Sequence, residues 1–424
     1  MILELKIKNF LSFKNEVTFS FEATADKTLN DYYVVEKEDG TRILKMMMVY
    51  GANASGKSNL INAFEFINNF VHNIPDEKDS NTEFVPFNFD TTKNELGEFD
   101  LCFYIGEIKY RYQLIISENV VFEEKLSYYP GTQPAIIFNR YYNSKAKVSV
   151  VKFGAKIKLS AQAQEAIQLK TLKNTSVIAA YNQVNVSVPE LELVVDWFKE
   201  QFMTSINPYT SLTEFSDDAI KNDNNIKEQA LKFLKQADFN ITDVTFKDKT
   251  EPIPENILKN LDSSFIPVEE MDRLKKEKVF HYNETFFEHK IINEGKSEYF
   301  TLKSERQSKG TIRYYGLSAP FFYALKQNAF LPIDEIGSAL HPLLIIHFIT
   351  EFLKKSNEAQ LLFTTHNMSI LNEKELLRKD AIWFTEKKDN GATDLFSMSD
   401  FPIRKELSYY NAYKLGKFGA IPEL

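Results

Sequence analysis

The chemistry of this sequence is concentrated in eight consecutive residues, Gly51-Ala52-Asn53-Ala54-Ser55-Gly56-Lys57-Ser58, which form a G-x-x-x-x-G-K-S loop. Gly51 and Gly56 permit a tight turn whose backbone N–H groups converge on phosphate oxygens. A helix starting at the end of the loop adds the positive end of its dipole. In such a loop Lys57 lies against the β- and γ-phosphates of a nucleotide and the Ser58 hydroxyl ligates Mg²⁺. Asn53, Ala54, Ser55 and Asn59 complete the expected nucleotide-binding set. A second group, Asp334-Glu335, ends the apolar run Phe330-Leu331-Pro332-Ile333. Asp334 is placed to hold Mg²⁺ directly or through water, and Glu335 to polarise an attacking water. Pro332 is unusual in such a run, because proline removes a ladder donor. A third apolar run, Leu361-Leu362-Phe363-Thr364-Thr365, ends on His366, a side chain able to sense or stabilise a γ-phosphate.

These groups need strands and helices to position them. Lys45-Met46-Met47-Met48-Val49-Tyr50 is nearly continuous in apolar character, as a strand buried on both faces would be, and Leu60, Ile61, Phe64 and Ile67 give the following segment a helical period. Alternation predicts strands at 2–7 and 17–21 around a turn near 9–15, and three antiparallel strands at 99–104, 110–115 and 120–126. Helices are predicted at 190–202 and 220–237, and strands at 241–247, 277–290 and 298–303. From 310 onward helix and strand alternate: helix 314–327, strand 329–333, helix 342–355, strand 360–364, a helix from 369 and strand 381–386. Such alternation implies a parallel sheet covered by helices.

Composition sets the outer limits. The 424 residues are 43% hydrophobic and 26% charged, an ordinary globular balance with room for two or three domain-sized masses. A single cysteine, Cys102, excludes a disulfide framework and a Cys-based zinc module, so the cytoplasm is the expected compartment. The opening residues lack the apolar core of a signal peptide, and no run of 18 uncharged apolar residues predicts a membrane span. A net charge of -8 argues against a general nucleic-acid coat while leaving a local basic patch open. Only 14 glycines occur, which gives each one weight.

Spacing then separates classes of nucleotide-binding protein. Lys57 and Asp334 are 277 positions apart (334 − 57), far more than in small GTPases or RecA-like ATPases. The gap resembles the ABC-ATPase class, in which a lobe is inserted between the two motifs. The expected fold is therefore α/β: an ABC-ATPase-like P-loop head with a mixed sheet and an antiparallel β-subdomain, interrupted by a mainly helical lobe. Residues 1–150 and 301–424 would form the head and 151–300 the lobe. Such a site needs a signature loop that opens a helix and acts in trans on the γ-phosphate of a second subunit. Ser308-Lys309-Gly310-Thr311 has that position, and Gly337-Ser338-Ala339-Leu340-His341-Pro342 follows the acidic pair where contacts between paired sites are carried.

Taken together, these motifs resemble the ABC-type ATPases of bacterial phage defence, the OLD-like and abortive-infection ATPases of the AbiL and RloA type. The resemblance rests on Ile7-Lys8-Asn9-Phe10-Leu11-Ser12-Phe13, the Gly51–Ser58 loop, Glu305–Thr311, Ile333–Ile336, His341-Pro342, Thr364–His366 and the tail Tyr413–Pro422. It implies ATP and Mg²⁺ as cofactors, bound between subunits of a homodimer or higher assembly, with slow hydrolysis serving as a switch. Lys57 and Ser58 would then bind nucleotide and metal, Asp334 metal, Glu335 would activate water, His366 would be the switch histidine, and Ser308, Lys309 and Gly310 would act in trans. Gln113, Gln133 and Gln183 are equal candidates for the glutamine that usually follows the head's strands. Only 58 residues follow His366 (424 − 366), too few for the nuclease domain of OLD proteins, so the effector is expected to be a separate polypeptide. The competing readings are a RecF- or SMC-like DNA-binding ATPase of repair or recombination, and a protein for which ATP is only a structural ligand. The absence of heptad runs counts against the coiled-coil branch of the former. Arg273-Leu274-Lys275-Lys276 is expected on a solvated helix face, His281 and His289 on the surface with Glu284 and Glu288, and Lys14 near the adenine.

Overall fold

The computed structural model describes residues 1–75, 77–237, 239–259, 268–402 and 408–422. Along the chain, β1 (Ile2–Lys8) and β2 (Val17–Ser20) precede a short helix α1 (Asn30–Tyr33) and a ladder of β3 (Val34–Glu36) with β4 (Arg42–Leu44). Then come β5 (Met46–Gly51), α2 (Lys57–His72) and five strands: β6 (Gly97–Ile105), β7 (Ile108–Ile116), β8 (Val121–Tyr129), β9 (Ala135–Asn143) and β10 (Val148–Phe153). Helices α3 (Ala161–Lys170), α4 (Val177–Tyr181) and α5 (Pro189–Glu200) follow. The next stretch holds α6 (Thr213–Asn222), α7 (Asn224–Gln236), β11 (Ile241–Pro252), α8 (Glu255–Lys259), α9 (Val268–Glu277), β12 (Val279–Asn293), β13 (Lys296–Lys303) and α10 (Lys309–Gln327). The last part is β14 (Phe330–Ile333), α11 (Pro342–Lys355), β15 (Gln360–Thr364), β16 (Ile382–Lys387), β17 (Thr393–Ser397) and α12 (Tyr409–Lys414).

Two compact units result, one of Met1–Thr210 with Tyr323–Leu424, the other Ser211–Phe322. Residues 151–210, grouped with the lobe in the sequence reading, fall in the first unit. That unit contains two large sheets. One is mixed, in the order β14-β15-β5-β16-β17, with four parallel strands and an antiparallel edge. Every residue of β5 is buried, as a central parallel strand requires. The other sheet is antiparallel, in the order β10-β9-β8-β7-β6-β1-β2. The two sheets are stitched by buried Gln360 of β15, whose Nε2 donates to the Ile2 carbonyl at 2.8 Å and the Leu44 carbonyl at 3.1 Å. The fold class is α/β, a P-loop head with mixed and antiparallel sheets, as the sequence predicts.

Pro332 is tolerated because β14 is the edge strand of the mixed sheet. Residues 201–206 run beside that edge. The Met203 N–H donates to Phe330, the Ile206 N–H to Pro332, and the Asp334 N–H to Ile206. Proline's missing donor therefore falls on this loosely paired side, and the β15 ladder stays intact.

The second unit has α6 and α7, the three-stranded sheet β11-β12-β13 and the start of α10. The helix predicted at 220–237 is two helices, broken at Asp223, whose extended backbone and side chain cap α7 by accepting from the Asn225 and Ile226 N–H groups. Buried Asp217 accepts from the Tyr315 hydroxyl at 2.5 Å and from the Thr285 hydroxyl. Among the described residues, no helix is long and apolar enough to cross a membrane.

Candidate functional site: a phosphate loop facing an acidic strand end

The loop between β5 and α2 is shaped by its glycines. Gly56 sits at φ 108, a conformation side chains rarely adopt, and a Cβ there would lie 2.3 Å from the Thr393 hydroxyl. At Gly51 the constraint is space alone, since a Cβ would lie 2.5 Å from the Thr385 carbonyl. Hydroxyl groups fasten the loop from beneath. Ser55 shares a hydrogen bond of 2.7 Å with Thr385, and the Thr393 hydroxyl donates to the Ser55 carbonyl at 2.8 Å and shares a hydrogen bond of 2.7 Å with the Ser12 hydroxyl. Asn59 donates to that same Ser12 hydroxyl at 2.7 Å. Asn53, Ala54 and Ser58 are exposed at the loop and first helical turn, and no side chain caps α2.

Lys57 is the buried cation of the loop. Its ammonium donates to the Gly51 and Ala52 carbonyls at 3.0 Å each and lies 3.4 Å from His366 Nδ1. Burial pulls its pKa below the usual lysine value, against the opposing pull of Glu335 and Asp334. The acidic pair reaches it because β15 separates β14 from β5, so three parallel strand ends lie side by side. Thr364 ends β15 and organises the pair: its hydroxyl donates to Asp334 Oδ1 at 2.5 Å and accepts from the Glu335 N–H at 2.8 Å. Glu335 stands at φ 53, a left-handed conformation that costs a non-glycine residue about 1–3 kcal/mol and persists where the surroundings impose it. Its Oε1 is 2.7 Å from His366 Nε2. A histidine proton on Nε2 satisfies both contacts of the ring, accepting from Lys57 and donating to Glu335. Partial burial raises the pKa of Glu335, but the His366 hydrogen bond and the Lys57 charge prevail and hold it below the ordinary carboxylate range.

Lys57, Asp334, Glu335 and His366 are thus brought to one place, next to Ser58 and Asn59 at the start of α2. The residues fit a nucleotide polyphosphate with Mg²⁺: an uncapped helix start, a desolvated ammonium, and two carboxylates beside an exposed hydroxyl. Ser308, Lys309 and Gly310 open α10 in the second unit, where the Ser308 hydroxyl accepts from the Thr311 N–H at 3.0 Å. His341 caps α11 through Nδ1, which accepts from the Leu343 N–H at 3.2 Å. Lys14 forms an ion pair with Asp90, which pulls that carboxyl down to about 2, and it lies over the Phe87 ring. Gln113 donates to Asp100 on the antiparallel sheet at 3.3 Å.

Sequence reasoning missed the supporting hydroxyls Thr364, Thr385 and Thr393. Of these only Thr364 left a signal, as a polar residue ending an apolar strand in step with Asp334. The tail also has a role the sequence did not reveal. Gly419, at φ 63, brings the backbone against Glu386, and the Ala420 N–H donates to Glu386 Oε1 at 2.9 Å. The Tyr413 and Phe418 rings stack on Phe384. Ala420, Ile421 and Pro422 then wall a cleft of about 790 Å³ that Ala52, Asn53 and Ser55 line from the other side.

Residues 46–372 match a family model described as "AAA domain, putative AbiEii toxin, Type IV TA system". No curated protein matches the sequence. Among solved structures, the chain is similar to the SMC head domain from Thermotoga maritima, at 14% identity over 93% of this chain and 98% of that one, with a TM-score of 0.42. It is also similar to the Smc head domain with an extended coiled coil, bound to the C-terminal domain of ScpA, from Pyrococcus furiosus. There the identity is 14% over 98% of each chain, with a TM-score of 0.40.

Proposed function

The chain belongs to the AAA-domain family whose model it matches over residues 46–372, and from that premise we propose that it is an ABC-type ATPase of an anti-phage abortive-infection system. In this reading it binds and slowly hydrolyses ATP between subunits and serves as sensor and scaffold for a separate effector, a nuclease. The observation that supports it most is the Glu335–His366 contact of 2.7 Å beside Lys57, at the ends of three adjacent parallel strands.

In this mechanism the loop N–H groups and Lys57 bind and orient the phosphates, while Ser58 and Asp334 would hold the metal. Mg²⁺, when bound, neutralises charge on the β- and γ-phosphate oxygens. Glu335, ionised at neutral pH, accepts a proton from the attacking water at its carboxylate. His366 fixes that carboxylate through Nε2, and Thr364 holds Asp334 and the Glu335 backbone in register. Ser308, Lys309 and Gly310 supply donors to the nucleotide held by a second copy, which makes the assembly depend on ATP.

Native mass with and without ATP tests this for Glu335→Gln, a variant that keeps nucleotide without turning it over. The expected result is a stable ATP-dependent dimer or larger assembly that carries the effector encoded nearby. A monomer under both conditions overturns the composite site, and an assembly that takes up no effector overturns the scaffold.

A further inference from the structure

From its second turn onward, α2 turns one face away from the phosphate loop. Asn62, Glu65, Phe66, Asn69, Phe70 and Asn73 recur three and four residues apart and share that face. It floors a groove of about 230 Å³, bordered by the Phe10-Leu11 turn, by residues 81–85 and by Asn174. The volume lies below the ~300–1,000 Å³ range of pockets that enclose a whole small molecule, so the groove suits a stretch of chain.

Its chemistry is uncommon. Five asparagines line it, and the charged groups among its described lining residues are two carboxylates, Glu65 and Glu83, with no lysine or arginine. Each side-chain amide is donor and acceptor at once, matching the paired N–H and C=O groups that extended peptide backbone presents. Carboxylates without a cation repel phosphate-bearing partners and attract a basic side chain. Glu65 has one oxygen engaged by the Ser205 hydroxyl. The apolar part comes from Phe66, Phe70 and Val85, the last 42% exposed.

Asn174 at the groove's border adds a second observation. Asn174 is only 3% exposed. Its Nδ2 donates to the Ser80 carbonyl at 2.8 Å, while its Oδ1 has no hydrogen-bond partner among the described residues. A buried acceptor left unmade is unfavourable, which marks this border of the groove as a place where a small rearrangement on binding would gain a hydrogen bond.

We propose that this groove binds an extended segment of another polypeptide, through asparagine hydrogen bonds to its main chain. An apolar side chain would sit against Phe66, Phe70 and Val85, and a lysine or arginine would face Glu65 or Glu83. The proposal stands on the groove alone and does not depend on the ATPase reading. The turn that borders it reaches the phosphate loop one residue further on, through Ser12, so neighbouring residues of one segment touch both places.

Selection of displayed random ten-residue peptides on the full chain, followed by fluorescence polarisation of the best synthetic peptide, tests it. The expected peptides carry a basic residue near an apolar one. The triple variant Asn62→Ala, Asn69→Ala, Asn73→Ala, at three exposed positions, weakens them at least tenfold with unchanged thermal unfolding. Glu65→Gln with Glu83→Gln abolishes the preference for the basic residue. Absence of an enriched family overturns the proposal, as does equal affinity for the triple variant. Displacement of the peptide by a labelled 20-mer of oligo-dT would reassign the groove to nucleic acid and overturn it as well.

Discussion

Glu124 and Glu335 are both withdrawn from solvent beside a basic side chain, yet their surroundings differ in almost every respect. Glu124 lies on β8, fully buried, 3.6 Å from the guanidinium of Arg140. Its oxygens accept from the Tyr112 hydroxyl at 2.9 Å, the Ser176 hydroxyl at 2.6 Å and the Val177 N–H at 2.9 Å. Glu335 has a single hydrogen-bond partner for its carboxylate among the described residues, stands at a strained φ and keeps part of its carboxylate in solvent. Burial drives the Glu124 pKa up, against Arg140 and its hydrogen bonds, whereas His366 and Lys57 outweigh burial and bring Glu335 down. A carboxylate saturated by donors in a closed sheet ties elements together. One held by a single donor on a strained turn stays ionised with an oxygen left open to solvent. The difference teaches that the number of partners, more than burial, separates a structural charge from a chemical one.

The comparison breaks first on turnover. Glu335→Gln should lower ATP hydrolysis by about 10²–10⁴-fold, the usual worth of general-base catalysis, while the chain stays folded. Equal loss in Glu124→Gln would erase the distinction. The next largest effect is on stability: Glu124→Gln strands the Arg140 charge and should cost about 3–5 kcal/mol in urea unfolding. The double change Glu124→Gln with Arg140→Met should recover most of it. Thr364→Val is intermediate, leaving the Asp334 carboxylate and the Glu335 N–H without their shared hydroxyl at about 1–3 kcal/mol. Its signature is a fall in kcat larger than any change in KM for ATP, because it repositions the acidic pair.

The smallest effect, and the sharpest, is the sign of a pH dependence. Glu335 is lowered in the folded chain, so its contribution is present above the ordinary carboxylate range and lost as pH falls through its folded value. Glu124 is raised, so the folded chain holds its proton longer than the unfolded one and its contribution declines as pH rises through that window. Glu335→Gln should therefore change the slope of thermal unfolding against pH below the ordinary carboxylate range, and Glu124→Gln above it, with opposite signs.

Much of this was legible, for identifiable reasons. β5 declared itself because a strand covered on both faces is apolar throughout, and the loop after it because glycine and lysine have no substitutes there. Helix α11 and strand β15 were read to the residue, since Pro342 sets one start and apolar periodicity the rest. The helix expected from 369 is only a 3-10 turn, Met368–Asn372, because Asn367 caps a segment with too few apolar repeats to continue. Strands β9 and β10 escaped notice because the buried face is interrupted by Arg140, whose burial depends on Ser149 and the 172–173 carbonyls, while Ile136, Tyr141 and Val148 are exposed, so hydropathy does not alternate cleanly. The left-handed Glu335 carries no mark in the sequence at all, since the strain is imposed by β15 across the sheet.

The position of β5 has a further consequence, for how the chain is made. Both hydrogen-bonding edges of this wholly apolar strand are covered by segments synthesised much later, β15 and β16. At ordinary elongation rates of about 5–20 residues per second, β5 waits on the order of 15–60 s for its first parallel neighbour. During that interval the antiparallel sheet can already close on itself, while Met46–Val49 remain an unpaired, sticky edge. The nucleotide site is therefore the last part of the first unit to exist, and newly made chains should depend on chaperones until the final hundred residues arrive.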